Sequence, residues 1–347
     1  MFSDDVAKQF DPVPGYCNTA SVGIPPRAAV EVLRGCLDAW ASATLDKAGF
    51  DADVARARDG FARLAGAPVA TVAMPGAVSI TTGLVASCLP QGSRVLCAEE
   101  DFTSVLFPFL VDPRLDVRVV PLDELLDQLG PAVDLVAVSA VQSADGRRLD
   151  LDLLAERADQ AGARTYVDLT QAVGWLPVGA GRFDVTACSA YKWLCSPRGV
   201  GFMTVRDDVD WLVPRLAGWY AGPDPWASLY GPPLRLAEDA RRFSVSPAWF
   251  DVAATAEALE ALLTVGLDRI NDHNVELANR CRRALDLPDA NSAIVRVTTT
   301  SDPAEDLREA GIVTTSRGGG TRLSFHLTNT GNDADRAAAV LRSHRPT

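Results

Sequence analysis

Residues 164–205 read RTYVDLTQAVGWLPVGAGRFDVTACSAYKWLCSPRGVGFMTV. Three apolar runs lie within this stretch, at 164–169, 185–189 and 201–205, each bounded by small or polar residues, which is the pattern of buried strands. Two of the strand ends carry ionisable groups: Asp168 closes the first run and Lys192 follows the second. A charge at the end of a buried strand needs a partner or a task.

Outward from this stretch the alternation continues. Further strands are expected at 69–74, 94–98, 117–120 and 135–139, separated by helical patterns at 80–89, 122–129 and 151–161, the last stopped by Gly162. Short strands alternating with helices predict an α/β large domain, a mostly parallel seven-stranded sheet sandwiched by helices. The Pro-, Gly- and aromatic-rich stretch 211–233 interrupts the pattern. Beyond it, helices at 250–265 and 267–285, a strand at 294–298, a helix at 302–310, a hairpin around Gly318–Gly320 and a helix at 333–342 predict a small α+β domain. We divide the chain into residues 1–240, the large domain with an N-terminal segment, and 241–347.

At 347 residues, 48% of them hydrophobic and 22% charged, the chain has the composition of a globular protein. Its 45 acidic against 33 basic residues leave a net charge of -12, which repels a phosphate backbone, so a nucleic-acid partner is not expected. No apolar run reaches the length of a membrane span, and the acidic start at Ser3-Asp4-Asp5 is unlike a signal peptide, so a cytoplasmic protein without membrane partners is expected. Seven cysteines stand singly with no C-x-x-C pair, the pattern of buried free thiols and not of a metal site.

Of the 33 basic residues only Lys8, Lys47 and Lys192 are lysine, which leaves 30 arginines. Arginine stays protonated; a desolvated lysine amine can be neutral and form a Schiff base. Lys192 in its apolar run is therefore either a stem that snorkels to water or a chemical residue. Other strand ends carry their own signals. Pro75-Gly76-Ala77-Val78-Ser79 opens a helix, where free N–H groups suit a phosphate or an ordinary cap. Phe102, in Asp101-Phe102-Thr103-Ser104, is a stacking ring or a core aromatic. Gln142, within 139–146, lines a pocket or makes a turn. Asp168 pairs with an arginine, caps the next helix or, given Lys192 and the phosphate-ready turn, holds the protonated ring nitrogen of pyridoxal phosphate.

Together these residues resemble the class V aminotransferase family of fold type I pyridoxal-phosphate enzymes, most closely over Ser189-Ala190-Tyr191-Lys192-Trp193-Leu194-Cys195-Ser196-Pro197-Arg198-Gly199-Val200-Gly201. The resemblance implies pyridoxal 5'-phosphate as cofactor and Lys192 as the Schiff-base lysine. It makes Asp168 the ring-nitrogen partner, Gln171 the donor to the ring oxygen and Phe102 the stacking ring. Ala77, Val78 and Ser79 become the phosphate turn, flanked by Ser189 and Tyr191. Arg242-Phe243-Ser244-Val245-Ser246-Pro247 is similar to the stretch that reaches the phosphate of the other subunit, with Ser246 as its contact, which implies a homodimer with shared sites. Arg322 looks like the arginine that grips the carboxylate of a small amino-acid substrate. Tyr16-Cys17-Asn18-Thr19-Ala20-Ser21-Val22-Gly23 resembles the family's entry segment and places Asn18 and Thr19 on the substrate side, unless it is a plain turn. The aromatic loop 218–226, with Trp219 and Tyr220, overhangs the pocket or packs between subunits.

Departures from the pattern bear on the reaction. Cysteine desulfurases carry a thiol on the loop before the carboxylate arginine, whereas Thr314-Thr315-Ser316-Arg317-Gly318-Gly319-Gly320-Thr321 has none, and Phe102 and Tyr191 stand where that group places histidines. Desulfurase activity is disfavoured on this ground. Lys192-Trp193-Leu194-Cys195-Ser196-Pro197-Arg198-Gly199 is similar to the isopenicillin-N-epimerase-like branch, and Ser139-Ala140-Val141-Gln142 to kynureninase. An aminotransferase is the first expectation. A lyase or hydrolase, an epimerase, and a non-catalytic partner protein of the same fold are the alternatives.

Overall fold

The computed structural model describes residues 4–317 and 319–346. Three helices come first, α1 (Asp4–Gln9), α2 (Arg27–Ala41) and α3 (Phe50–Ala65). The large sheet and its crossovers follow as β1 (Val72–Ala73), α4 (Val78–Cys88), β2 (Arg94–Ala98), α5 (Thr103–Leu110), β3 (Asp116–Val120), α6 (Leu122–Gln128), β4 (Leu135–Ser139), α7 (Leu151–Ala161), β5 (Arg164–Asp168), β6 (Val185–Ser189) and β7 (Gly201–Val205). The remaining chain forms α8 (Trp249–Val265), α9 (Leu267–Ala284), β8 (Ile294–Thr298), α10 (Ala304–Glu309), β9 (Thr315–Arg317), β10 (Gly320–Ser324) and α11 (Gly331–Arg342).

The expected seven-stranded, mostly parallel sheet is present, in the order β1-β7-β6-β5-β4-β2-β3. Its central pairs are parallel, and β7 runs antiparallel to both β6 and β1. Buried residues cover both faces, which is why β4 and β7 read as unbroken apolar runs instead of alternating ones. At α7, the Asp150 carboxylate accepts from the N–H groups of Asp152 and Leu153, and Gly162 ends the helix in the left-handed region at φ 66°. The expected strand at 69–74 is shorter than read. Thr71 bonds back to the Pro68 carbonyl through its N–H and its hydroxyl, so residues 69–71 close a single turn and only Val72–Ala73 is left to pair.

In the small domain β8, β10 and β9 form an antiparallel sheet, with Arg322 of β10 opposite Thr315 of β9. Its hairpin turns where expected, although Gly318 itself lies outside the described residues, as do Met1–Ser3. Helix α8 packs with α2 and α3 and joins the core that backs the large sheet. The small domain's own core gathers on α9, α11, β8 and β10 instead. Among the described residues no helix is long and apolar enough to cross a membrane, and no cluster of side chains is arranged to hold a metal.

Residues 15–23 are more than a turn. Tyr16 bridges to Val313 and Asn18 to Ser324 of the small domain. Gly15 donates to Asp333, Ala20 donates to the Ser324 hydroxyl, and Gly23 donates to the Tyr191 carbonyl. A Cβ at Gly23 would sit 2.0 Å from the Lys192 carbonyl oxygen, so this close approach needs glycine.

Candidate active site

The carboxyl ends of β2, β4, β5 and β6 point to one edge of the sheet, and α4 begins at the same edge. A cavity of about 440 Å³ opens there. This is the place where an open α/β sheet collects ligands. Lys192, Asp168, Gln171, Phe102, Ser189, Tyr191, Ala77, Val78 and Ser79 all line it, so these sequence-predicted residues are brought together from the ends of β1, β2, β5 and β6.

Lys192 belongs to the tight connection between β6 and β7, where Ser189 pairs with Gly201. The turn closes with Cys195 donating to the Lys192 carbonyl at 3.0 Å, and Cys195 takes a left-handed backbone at φ 55°. The Lys192 side chain is buried, its amine 5.4 Å from the centre of the Phe102 ring and 5.6 Å from that of Tyr191. Burial pulls the amine from its ordinary value of 10.5 down to about 8, with Asp168 opposing the change and Arg322 adding to it. An aldehyde should therefore react at Lys192 with a rate that climbs as pH rises through about 8, not through the ordinary lysine range. Borohydride trapping and peptide mapping across a pH series check this, and a midpoint near 10.5 would contradict it.

Asp168 is buried and accepts from the Thr170 N–H at 2.8 Å. Burial raises its carboxyl pKa, against the pull of Thr170 and Lys192. A second carboxylate, which the sequence reading passed over, stands next to this group. Asp101 is buried at the end of β2, accepts from the Ser139 N–H at 2.9 Å, and is pushed by burial, with Asp168 adding, to about 6. The signal at Asp101 was weaker than at Asp168, because two other acids, Glu99 and Glu100, stand between it and the end of β2. Gln142 is fully buried beside it; neither of its amide atoms meets a partner at hydrogen-bonding geometry, yet it lies close enough to favour the ionised Asp101.

The remaining predicted residues divide. Ala77 caps α4 without any side-chain hydrogen bond, and with Ile80 and Thr81 donating to its carbonyl, the N–H groups of Val78 and Ser79 are those left beside the cavity, a ready anion site. Phe102 is 46% exposed, with room at its ring face for a planar group. Arg322 is fully buried, yet its guanidinium meets only neutral oxygens: the Ser143 carbonyl at 2.5 Å, the Ser143 hydroxyl at 3.2 Å and the Ser21 hydroxyl at 2.7 Å. Its Nε has no partner, and burial together with Arg317 brings its pKa down to about 10. A buried cation without an acid is a site prepared for an anion. Asn18 accepts from the Ser21 hydroxyl, and Thr19 is buried in the same segment.

Three predicted residues lie elsewhere in the chain. Tyr220 and Trp226 both donate to the Asp51 carboxylate, and Trp219 packs edge-on against both rings, so Trp219 and Tyr220 are drawn to the start of α3 and do not border the Lys192 cavity. Ser246 is exposed beyond β1, where Val245 donates to the Met74 carbonyl, and it too is absent from the cavity wall.

The donor set fits pyridoxal phosphate: an uncapped helix start for the phosphate, an open ring face at Phe102, a buried carboxylate for the ring nitrogen and a buried amine of lowered pKa. Comparison with known proteins agrees. The profile of the family described as aminotransferase class-V matches residues 110–305. The chain is 28% identical to an uncharacterized aminotransferase, YcbU, of Bacillus subtilis, over 79% of each chain. It is also 28% identical to isopenicillin N epimerase of Streptomyces clavuligerus, over 95% of each. In fold it resembles the apo structure of a cysteine desulfurase from Thermococcus onnurineus, with a TM-score of 0.83, 19% identity, and coverage of 99% of this chain and 98% of that one.

Proposed function

Since the chain belongs to the class V aminotransferase family, whose cofactor is pyridoxal 5'-phosphate, we propose that it is an aminotransferase acting on a small amino acid held through its carboxylate by Arg322. The observation that carries this reading is a buried lysine amine on the cavity, beside Asp168, and a buried, acid-free arginine bonded to Ser143 of the cavity wall. A non-catalytic relative has no use for either costly burial.

Pyridoxal phosphate, when bound, supplies an electron sink for the pair left as a bond at the substrate's α-carbon breaks. The chain's residues do the rest. The Val78 and Ser79 amides at the start of α4, with the Ser79 and Ser189 hydroxyls, would hold the phosphate, and Phe102 would offer its face to the ring. Asp168 keeps the ring nitrogen protonated, and Gln171 donates to the ring oxygen. Lys192 anchors the cofactor covalently until substrate arrives. Its freed amine would then take the proton from the substrate α-carbon and deliver it to the carbon that the cofactor's aldehyde supplies, a task suited to a base with pKa about 8. Arg322 fixes the carboxylate and with it the bond presented for cleavage.

Three relatives of three named activities leave the reaction to be argued from residues. A desulfurase needs a nucleophilic thiol. The loop at 314–321 has none, no cysteine borders the cavity among the described residues, and burial holds the thiol of neighbouring Cys188 well above its ordinary pKa. We further infer a homodimer, in which exposed Ser246 reaches the partner's phosphate.

Product analysis tests the reaction. A transaminase consumes an amino acid only when a 2-oxo acid is added, and returns one new amino acid per molecule consumed. Release of a keto acid or alanine without an acceptor would instead make the protein a lyase or hydrolase, and solvent-hydrogen exchange with inversion alone would make it an epimerase.

A further inference from the structure

Trp193, directly after Lys192, is fully buried, and its indole N–H donates to the Gln171 side-chain oxygen at 2.7 Å. An indole nitrogen can only donate and the amide oxygen can only accept. Turning the Gln171 amide over would set two donors face to face with no water to relieve them. The backbone of Gln171 is held in a similar way, its carbonyl accepting from the Trp175 indole at 2.7 Å. With both oxygens taken by tryptophans, the amide nitrogen is the atom left for the cavity. It donates to the Ala20 carbonyl at 3.1 Å and, at a longer 3.3 Å, to the Ser143 hydroxyl. The longer bond is the one a better acceptor in the cavity would replace.

Trp193 is itself fixed from the small domain. His326, fully enclosed, lies 3.1 Å through Nε2 from the Trp193 carbonyl and 3.0 Å through Nδ1 from the Asn274 amide nitrogen. The carbonyl only accepts, so Nε2 carries the hydrogen and Nδ1 receives the Asn274 N–H. Burial lowers the His326 pKa to about 3, so this arrangement does not titrate in the working range. The His326 and Trp193 rings also meet edge to face, 5.4 Å between centres.

We propose that Trp193 is a positioning residue that fixes the Gln171 amide with its nitrogen toward the cofactor's ring oxygen, and that His326 holds Trp193 in place from the small domain. The proposal rests on the reading that Gln171 faces that oxygen. A donor at the ring oxygen draws off part of the charge that would otherwise hold a proton on the neighbouring lysine nitrogen, so it lowers the pH at which the lysine-bound cofactor titrates.

The test is a pH titration of the visible absorption of the holoenzyme, with no substrate present. Trp193→Phe removes the N–H and should raise the midpoint by about one pH unit, tenfold in the proton equilibrium. Gln171→Met should raise it at least as far, and Trp193→Phe placed in the Gln171→Met background should then add nothing. His326→Leu should shift the midpoint in the same direction while Gln171 is present, and it serves if Trp193→Phe does not fold. An unchanged midpoint in Trp193→Phe, or an equal shift with Gln171 already gone, would overturn the proposal. A wild-type protein that shows no titrating band with added pyridoxal phosphate would instead overturn the cofactor reading on which it rests.

Discussion

Lys192→Ala is expected to lower turnover by at least about 10⁴-fold, since the proposed mechanism makes one side chain both the covalent anchor and the proton-transfer base. The variant should nonetheless fold. No ion pair or hydrogen bond holds the wild-type amine among the described residues, and burial works against its charged form. The sign of the pH effect follows. The folded pKa of about 8 lies below the ordinary 10.5, so the cost of burying the cation is fully present below about 8. Wild-type stability therefore gains on the variant as pH rises from about 8 toward 10.5. Denaturation of the cofactor-free proteins at pH 7 and pH 10 reads this difference. In parallel, borohydride should fix pyridoxal phosphate to Lys192 in the wild type, while Lys8 and Lys47, both exposed, provide the background. Sustained turnover by a folded Lys192→Ala protein would end the assignment.

Asp168→Asn is the second large effect. Asparagine keeps the shape and, through its oxygen, the bond from the Thr170 N–H, so the strand end survives. What it loses is the negative charge opposite a protonated ring nitrogen. Breaking one half of a buried charge pair costs about 3–5 kcal/mol, which corresponds to a fall in kcat of roughly 10²- to 10⁴-fold. Cofactor should still bind, since phosphate contacts and Lys192 remain. A kcat equal to that of wild type, measured with cofactor bound, would show that Asp168 does not serve the ring.

The central strands were legible because burial on both faces removes any need for polar alternation. The expected bounds at 94–98, 135–139, 185–189 and 201–205 coincide with β2, β4, β6 and β7. Helix α5 was not read: it is apolar nearly all round and carries Pro108, so it shows no helical period. At the site, Lys192, Asp168 and Phe102 announced themselves by residue type at a strand end. The role of His326 was hidden, since its partner Trp193 is 133 residues away and nothing local distinguishes it from a core histidine. The aromatic loop misled for a related reason. Composition says that Trp219 and Tyr220 will seek a planar or polar neighbour, and only the fold shows that Tyr220 finds Asp51 while Trp219 packs against the Tyr220 and Trp226 rings.

The stitching of residues 15–23 to the small domain also orders events during synthesis. Gly15 leaves the ribosome long before Asp333, the acceptor of its N–H, has been made. At roughly 5–20 residues per second, that delay is on the order of tens of seconds. Throughout it the wall that carries Ser21 has only its large-domain partners, Gln171 at Ala20 and Tyr191 at Gly23, and Arg322 does not yet exist. A chain cut short before residue 322 contains Lys192 but neither Arg322 nor the small-domain partners of Gly15 and Ala20. On the proposed reading, such a product holds the amine of the site without the arginine that would face a carboxylate.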